Sequence, residues 1–263
     1  MSNDLHLKEE DVRSIIRILG EVCSSPGDQH TKKRQLMDGL CQLIDADSWA
    51  WGLASQVGPD GPSIHISLLH SGFTEETYAA FTRAYAHPEM SAVHRPFAGE
   101  LASRKCHLTR LRQQFDPTES YKRTGAGPYW ERADINGVIM SMRPIGNDVF
   151  SIIGIYRRFS APPFSEYQNR IAHIVLRGVP WLHEQGWPED SGESLPRLSP
   201  RQRMTMGLLI QGYARSQIAA HLEISPHTAN DYVKVVFNHF GVHSQAALIA
   251  HFQQGDGGDL PRT

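Results

Sequence analysis

The stretch that decides the reading is Ser225-Pro226-His227-Thr228-Ala229-Asn230-Asp231-Tyr232-Val233-Lys234. Ser225 suits a helix N-cap, and Pro226 falls at the first helical position, where its missing N–H costs nothing. Ala229, Val233, Val236, Phe237 and Phe240 then recur at helical spacing and form one apolar stripe. His227, Asn230, Asp231, Lys234 and Asn238 fall on the opposite face, and each can donate or accept hydrogen bonds. Gly241 closes the helix, where a left-handed residue is wanted. A short helix with an apolar underside and mixed donors and acceptors on top has the shape of a major-groove reader.

The segments on either side complete a unit. Ser199-Pro200-Arg201-Gln202 is a capping box with proline at the first helical position. It starts a helix carrying Met204, Met206, Leu208, Leu209 and Ile210, which stops at Gly212. A short helix from Arg215 to Leu222 turns Ile218, Ala219 and Leu222 inward, and Glu223-Ile224-Ser225 leads into the helix described first. Two helices joined by so tight a turn read as a helix-turn-helix. Ser244 caps a last helix that runs to Phe252.

Leu198-Ser199-Pro200-Arg201-Gln202-Arg203, Gln217-Ile218-Ala219, Ile224-Ser225-Pro226-His227-Thr228 and Phe240-Gly241-Val242, in this order and without a gap, resemble the LuxR-type (GerE, NarL/FixJ) DNA-binding domain. The resemblance implies double-stranded DNA as partner, with residues at the places of Asn230, Asp231, Lys234 and Asn238 on the reading face. It puts Ser225, His227 and Thr228 near phosphate at the helix N-terminus, a favourable place for anions. Arg215 and Gln217 resemble backbone clamps, and the last helix resembles the one that usually supplies the dimer contact. The sequence departs from the pattern at three places. Ala214 stands where Ser or Thr usually caps, Glu223 occupies a turn position that is often Gly, and Asn230-Asp231 replaces a position commonly Lys and its neighbour. Asp231 could accept from cytosine or merely repel phosphate.

The chain of 263 residues has room for two modest domains, and its net charge of −2 means that any DNA affinity must be local. From Leu195 to Phe252 there are five Lys or Arg against two acidic residues. Cys23, Cys41 and Cys106 are too scattered for a disulfide framework or a zinc site and read as reduced thiols. The first residues lack a signal-peptide pattern, and no apolar run approaches a membrane span, so a cytoplasmic protein is expected.

Ahead of the helix-turn-helix, the pattern predicts an α+β domain over 1–184, a linker over 185–196, the DNA-binding domain over 197–254 and a disordered tail over 255–263. Helices are expected at about Glu10 to Ser24 and Gln29 to Ile44, the second with Lys32, Lys33 and Arg34 exposed. Strands are expected at Ser48 to Ala54 and Ser63 to His70, joined through Gly58-Pro59-Asp60-Gly61-Pro62. A helix from Thr74 to Ala84 follows, then loop or short helix over His87 to Phe97, a short strand or edge over Cys106 to Leu111, and loop or short helix to Gly127. Two strands joined at Ile145-Gly146-Asn147-Asp148 precede Ser165-Glu166-Tyr167-Gln168, a capping box opening a helix with Ile171, Ile174, Val175, Leu176 and Val179 as its apolar face. The order suggests an antiparallel sheet with flanking helices, similar at fold level to GAF or PAS sensory domains.

Trp49, Trp51, Tyr78, Phe81, Tyr85, Phe97, Tyr129 and Trp130 are the candidate lining of a small-molecule pocket; core packing is the alternative for each. His87, His94, Cys106 and His107 lack the paired spacing of a metal set, no cofactor motif is present, and no Gly-rich phosphate loop or nucleophile motif points to an enzyme. The expected function is a homodimeric DNA-binding transcription regulator whose first domain senses a small molecule or mediates dimerisation. Two alternatives stay open: an autoinducer-binding, quorum-sensing-type regulator, and an interaction module whose helix-turn-helix has lost DNA.

Overall fold

The computed structural model describes residues 6–56, 63–146, 149–184 and 198–254. The expected linker, the tail, the Gly58 to Pro62 turn and the Asn147-Asp148 pair lie outside these residues. The described residues divide into two compact units, 6–51 with 69–144 and 151–184, and 52–56 with 63–68, 145–146, 149–150 and 198–254. No helix among the described residues is long and apolar enough to cross a membrane.

The chain opens with α1 (Glu9–Ser24) and α2 (Gln29–Ile44), whose first turn is capped by the Asp28 carboxylate accepting from Thr31 N–H at 2.8 Å. Helix α1 buries Ile15, Ile18 and Val22, each burial stabilising by about 1.5–3 kcal/mol before chain entropy is counted. Its buried stripe is narrower than the sequence suggests, because Val12 and Ile16 stay exposed. Helix α2 buries Leu36, Met37, Leu40, Cys41 and Ile44. It also buries Lys33, which the sequence places at the surface: its ammonium sits 4.8 Å over the Trp51 ring. A cation on an aromatic face offsets part of its desolvation cost.

Strands β1 (Ser48–Gln56), β2 (Ser63–Ser71), β3 (Leu108–Leu111), β4 (Gly137–Gly146) and β5 (Val149–Arg157) form one antiparallel sheet in the order β2-β1-β5-β4-β3. The edge strand β3 pairs with β4 in the register Leu108↔Met142 to Leu111↔Ile139. Alternation along the strands gives the sheet two faces. Trp49, Trp51, Thr109, Ser141 and Ser151 point toward α2, α7 (Glu166–Arg177) and α8 (Pro180–Glu184). Tyr156 points to the other face and lies over Gly154, where a Cβ would meet its hydroxyl oxygen at 1.9 Å. That face is covered by α3 (Glu75–Tyr85), α4 (Met90–Arg104), α5 (Arg112–Phe115), the 3-10 turn Ser120–Arg123 and α6 (Gly127–Arg132).

Two local expectations need correction. The segment read as loop or short helix over His87 to Phe97 is helical from Met90 on, as the start of α4, which runs to Arg104 with Pro96 inside it and buries Met90, Val93, Phe97 and Leu101. Those four apolar residues keep helical spacing, so packing outweighs the cost of an interior proline. In α7, Ile174 is exposed while Ile171, Val175 and Leu176 are buried. The Ser165 capping box forms as the sequence suggests, with Ser165 accepting from Gln168 N–H and Gln168 accepting from Ser165 N–H at 2.9 Å.

The carboxyl-terminal helices are α9 (Pro200–Ile210), α10 (Arg215–His221), α11 (Pro226–His239) and α12 (Gln245–Gln254). Their core is Leu198, Met204, Met206, Leu208, Leu209, Ile218, Ala219, Leu222, Ala229, Val233, Val236 and Leu248. Gln245, unremarked in the sequence, donates to Leu209 O at 2.8 Å and Tyr213 O at 3.1 Å, tying α12 to the turn after α9.

Candidate DNA interface and interior site

Helix α11 is anchored as its spacing requires: Ala229, Val233 and Val236 are fully buried. Its first turn is held by Ser225 Oγ, which accepts from Thr228 N–H at 3.0 Å and lies 2.8 Å from the Thr228 hydroxyl. Both hydroxyls are therefore engaged with each other rather than displayed singly. His227, Lys234 and Asn238 are exposed, and Thr228, Asn230 and Asp231 are half-buried. Arg215 and Gln217 are exposed at the start of α10. All nine residues expected at a DNA interface thus retain accessible surface, on the second and third helices of the unit.

Their mutual contacts shape the electrostatics. Arg215 donates to Asn230 Oδ1 at 3.2 Å, linking the two helices across the turn. Asp231 Oδ1 lies 3.5 Å from Lys234 Nζ, and Asp231 Oδ2 lies 3.7 Å from His227 Nε2. Gln217 accepts from Ala214 N–H at 2.7 Å. The basic residues are not equally placed. Arg203 is buried and donates to Leu198 O at 3.0 Å, while Arg201 donates to Leu222 O at 2.8 Å. Arg215 and Lys234 are the described basic residues that face outward from α10 and α11.

In the first unit, the eight pocket candidates do not form one set. Trp49 and Trp51 lie on the α2 side of the sheet, where Trp49 donates to Asp38 at 2.8 Å and Trp51 to Ser151 at 2.8 Å. Tyr129 is half-buried and carries Arg132 over its ring at 6.0 Å. Tyr78, Phe81, Tyr85, Phe97 and Trp130 do come together on the other face, through Phe81–Tyr85 at 5.6 Å, Phe81–Trp130 at 6.1 Å and Tyr78–Phe81 at 6.1 Å. His94 and Phe115 extend this aromatic wall to Phe97.

Sequence reasoning missed Arg112, Tyr121 and the neutral role of His94 at this place. The Arg112 guanidinium stands 4.0 Å from the centre of the Tyr121 ring and 4.8 Å from that of Trp130. No sequence signal marks it, because its environment comes from α5, α6 and the 3-10 turn together. Tyr85 and His94 keep part of their surface open, yet burial pushes the Tyr85 phenol up and the His94 imidazole down to about 4, with Arg112 adding to the latter. Both groups thus stand at the edge of the aromatic cluster, desolvated by the protein around them while part of each side chain stays accessible.

On the α2 side, three histidines lie together, two of them in one chain of polar contacts and the third, His183, in another. His107 Nε2 lies 2.7 Å from Ser141 Oγ, Thr109 Oγ1 lies 3.0 Å from both Ser141 Oγ and His173 Nδ1, and His183 Nδ1 lies 2.8 Å from Ser151 Oγ. The His107 ring stands 5.6 Å from that of His173 and 5.1 Å from that of His183. Burial holds all three below the ordinary imidazole range, His107 at about 3. Among the described residues, no group of three His, Cys, Asp or Glu is placed to hold a metal ion. Cys23, Cys41 and Cys106 are free thiols.

Residues 196–252 match the family described as bacterial regulatory proteins, luxR family. The carboxyl-terminal helices are a luxR-type helix-turn-helix domain. No curated protein compared with the chain matches it. Distant likenesses to solved structures include Escherichia coli SdiA, at 14% identity over 92% of this chain and 96% of that one with a TM-score of 0.42. The VqsR LBD domain from Pseudomonas aeruginosa is 15% identical over 67% of this chain and 95% of its own, with a TM-score of 0.45. A GAF domain from a Coxiella burnetii phosphoenolpyruvate-protein phosphotransferase is 14% identical over 66% and 90%, with a TM-score of 0.36.

Within the luxR-type domain the departures noted in the sequence have structural counterparts. Ala214 holds N-cap geometry (φ −72°, ψ 155°) without a side chain that can cap. Glu223 has φ +51°, so the turn keeps a left-handed conformation although no glycine is there. The family is one of regulators and not an enzyme class.

Proposed function

We propose that the chain is a homodimeric transcription regulator that lays α11 in the major groove of a two-fold DNA site. Arg215 and Gln217 clamp the backbone, Asn230, Asp231, Lys234 and Asn238 face bases, and Ser225, His227 and Thr228 stand near phosphate. The observation that carries this reading is the polar face of α11, left accessible while Ala229, Val233 and Val236 are fully buried beneath it. The α+β domain of residues 1–184 is the sensory part, joined by residues 185–196. Its ligand enters the aromatic cluster beside Tyr85 and His94, and α12 supplies a dimer contact. Selection from a random DNA pool at two salt concentrations should enrich an inverted repeat, more strongly at low salt.

Asp231 favours one competing reading, an interaction module that no longer binds DNA. Its carboxylate sits between His227 and Lys234, on the face that would meet phosphate. Failure to enrich any sequence at either salt concentration would select that reading.

A further inference from the structure

A set of buried donors lies on the α3–α6 side of the sheet. Arg112 Nη1, Tyr121 Oη and Trp130 Nε1 are each buried without a hydrogen-bond partner among the described residues. The three side chains are 7%, 2% and 2% exposed. With the guanidinium 4.0 Å from one ring centre and 4.8 Å from the other, the orphan groups belong to one neighbourhood. Orphan buried donors are rare, and three together need an explanation.

The charge in that neighbourhood is only partly compensated: the Tyr121 oxygen and the Asp116 carboxylate favour it, but burial outweighs them. Arginine cannot shed its proton in a protein, so burial leaves a cation that must find an anion or an acceptor. Asp116 is the acidic group nearest in sequence, one turn along from Arg112. Its Oδ1 accepts from Ser120 N–H at 2.8 Å and from the Ser120 hydroxyl at 2.7 Å, and its Oδ2 accepts from Tyr121 N–H at 3.1 Å. The carboxylate is thereby spent on the 3-10 turn, and no ion pair joins it to Arg112 among the described residues. His94, held neutral, brings no charge of its own. The stacking of Arg112 on two rings and the Tyr121 oxygen beside it offset part of its cost, and Nη1 still has no acceptor within hydrogen-bonding geometry.

Beside these donors the wall is aromatic: Phe81, Tyr85, Phe97 and Phe115, with Tyr156 lying flat over Gly154. A cationic donor head next to an apolar aromatic wall is complementary to one ligand chemistry.

We propose that this donor cluster binds a carboxylate carried on an apolar body, its oxygens taken by Arg112, Trp130 Nε1–H and Tyr121 O–H, its body against the aromatic wall. The inference rests on reading the α+β domain as sensory and names the class of molecule it senses. Planar guanidinium suits a carboxylate because two parallel N–H groups meet two oxygens. Straight-chain and aryl acids share this chemistry, and the choice between them lies with the wall.

The test is calorimetric titration of the full-length protein with sodium octanoate and 3-phenylpropionate, set against 1-octanol and 3-phenyl-1-propanol. Each acid should bind roughly tenfold or more tightly than its alcohol, the factor expected for a charge-assisted hydrogen bond. Arg112→Gln should abolish that preference, each acid and its alcohol then binding within about twofold of one another. Trp130→Phe, which keeps a ring under Arg112 and removes only the N–H, should narrow it severalfold. If Arg112→Gln fails to fold, the wild-type comparison and Trp130→Phe decide alone. Alcohols binding as well as acids, or an acid preference that survives Arg112→Gln, would overturn the head-group assignment and leave a small-molecule domain standing. Binding of none of the four probes means that water alone satisfies the donors, and it overturns the assignment and the sensory reading of this cluster together.

Discussion

Asp231 holds its carboxylate 3.5 Å from the ammonium of Lys234, one turn further along the exposed face of α11. The pair is half-exposed, so it contributes little to stability, at most a few tenths of a kcal/mol. Its consequence lies in binding. The one lysine on the reading face enters any DNA complex already beside a negative charge, and phosphate or base must compete for it.

Lys234→Ala should therefore weaken binding to the selected DNA site and lower the salt slope by about one unit if the contact is to phosphate. Asp231→Asn should act in the opposite direction, raising affinity severalfold on unrelated sequences by freeing Lys234 and removing like-charge repulsion. Gel-shift titrations at several salt concentrations measure both. If the two variants move affinity in the same direction, the electrostatic account of this face is wrong.

The turn between α10 and α11 should be improvable. Glu223 holds φ +51°, a conformation that costs an L-residue about 1–2 kcal/mol, of which glycine returns part to the unfolded chain as entropy. Glu223→Gly is expected to stabilise the carboxyl-terminal domain by about 0.5–1 kcal/mol. Ala214→Ser supplies the absent cap hydroxyl to α10, worth about 0.5–2 kcal/mol. Thermal melts of the full chain followed by helical circular dichroism should show both variants melting later. A decrease for Glu223→Gly would mean that the side chain itself supports the turn.

How much of this was legible in advance follows from the range of the interactions. The capping boxes at Ser165 and Ser199 and the stripe Ala229, Val233, Val236 depend on residues within a few positions of one another, and each forms where its spacing places it. Lys33 looked solvated because its aromatic partner, Trp51, arrives from a strand eighteen residues later. Helix α4 was hidden by Pro88 and Pro96, although Met90, Val93, Phe97 and Leu101 already kept its spacing. Residue type alone marks the pocket candidates in the sequence, and type does not say which sheet face a tryptophan takes. The strand phase does: Trp49 and Trp51 are two apart and share a face, and that face is α2's. Arg112 could not be singled out, since only the fold brings Tyr121 and Trp130 to its two sides.

Arg157 on β5 is a second basic residue whose role is set by the fold. It is 3% exposed and stacks 4.4 Å from the Phe164 ring. Its Nε donates to Asp45 O at 2.6 Å, Nη2 to Ile44 O at 2.6 Å and Nη1 to Pro162 O at 3.0 Å. Two of these carbonyls belong to the end of α2, where Asp45 turns left-handed (φ +55°) and the helix leaves acceptors unpaired. A lysine cannot reach three carbonyls at once, so Arg157→Lys should cost about 2–4 kcal/mol through orphaned buried groups. Urea unfolding followed by tryptophan fluorescence reports on this part of the chain, because all five tryptophans precede Leu198. A loss below about 1 kcal/mol would show that the carbonyls find other partners.

The buried histidines give the sheet domain a pH dependence whose sign is fixed. His107, His173 and His183 lie together on one face and His94 lies on the other; burial is the first cause of depression for all four, which start from 6.5. In the unfolded chain each takes a proton as pH falls through about 6.5. In the folded chain the proton is refused until lower pH, about 4 for His94 and about 3 for His107. Between those limits the unfolded state holds more protons, so stability is fully present above 6.5 and is lost as pH falls. Each histidine contributes a slope of up to about 1.4 kcal/mol per pH unit in that window. Urea titrations at pH 7.5 and pH 5.5 should show a lower midpoint at the acid value, before carboxylates begin to titrate. His107→Leu removes one titrating ring together with the orphaned Nδ1, and it should shrink the difference between the two midpoints even where it lowers both. Equal midpoints at the two pH values in the wild type would mean that these rings are protonated within the fold, and that water or anions reach them there.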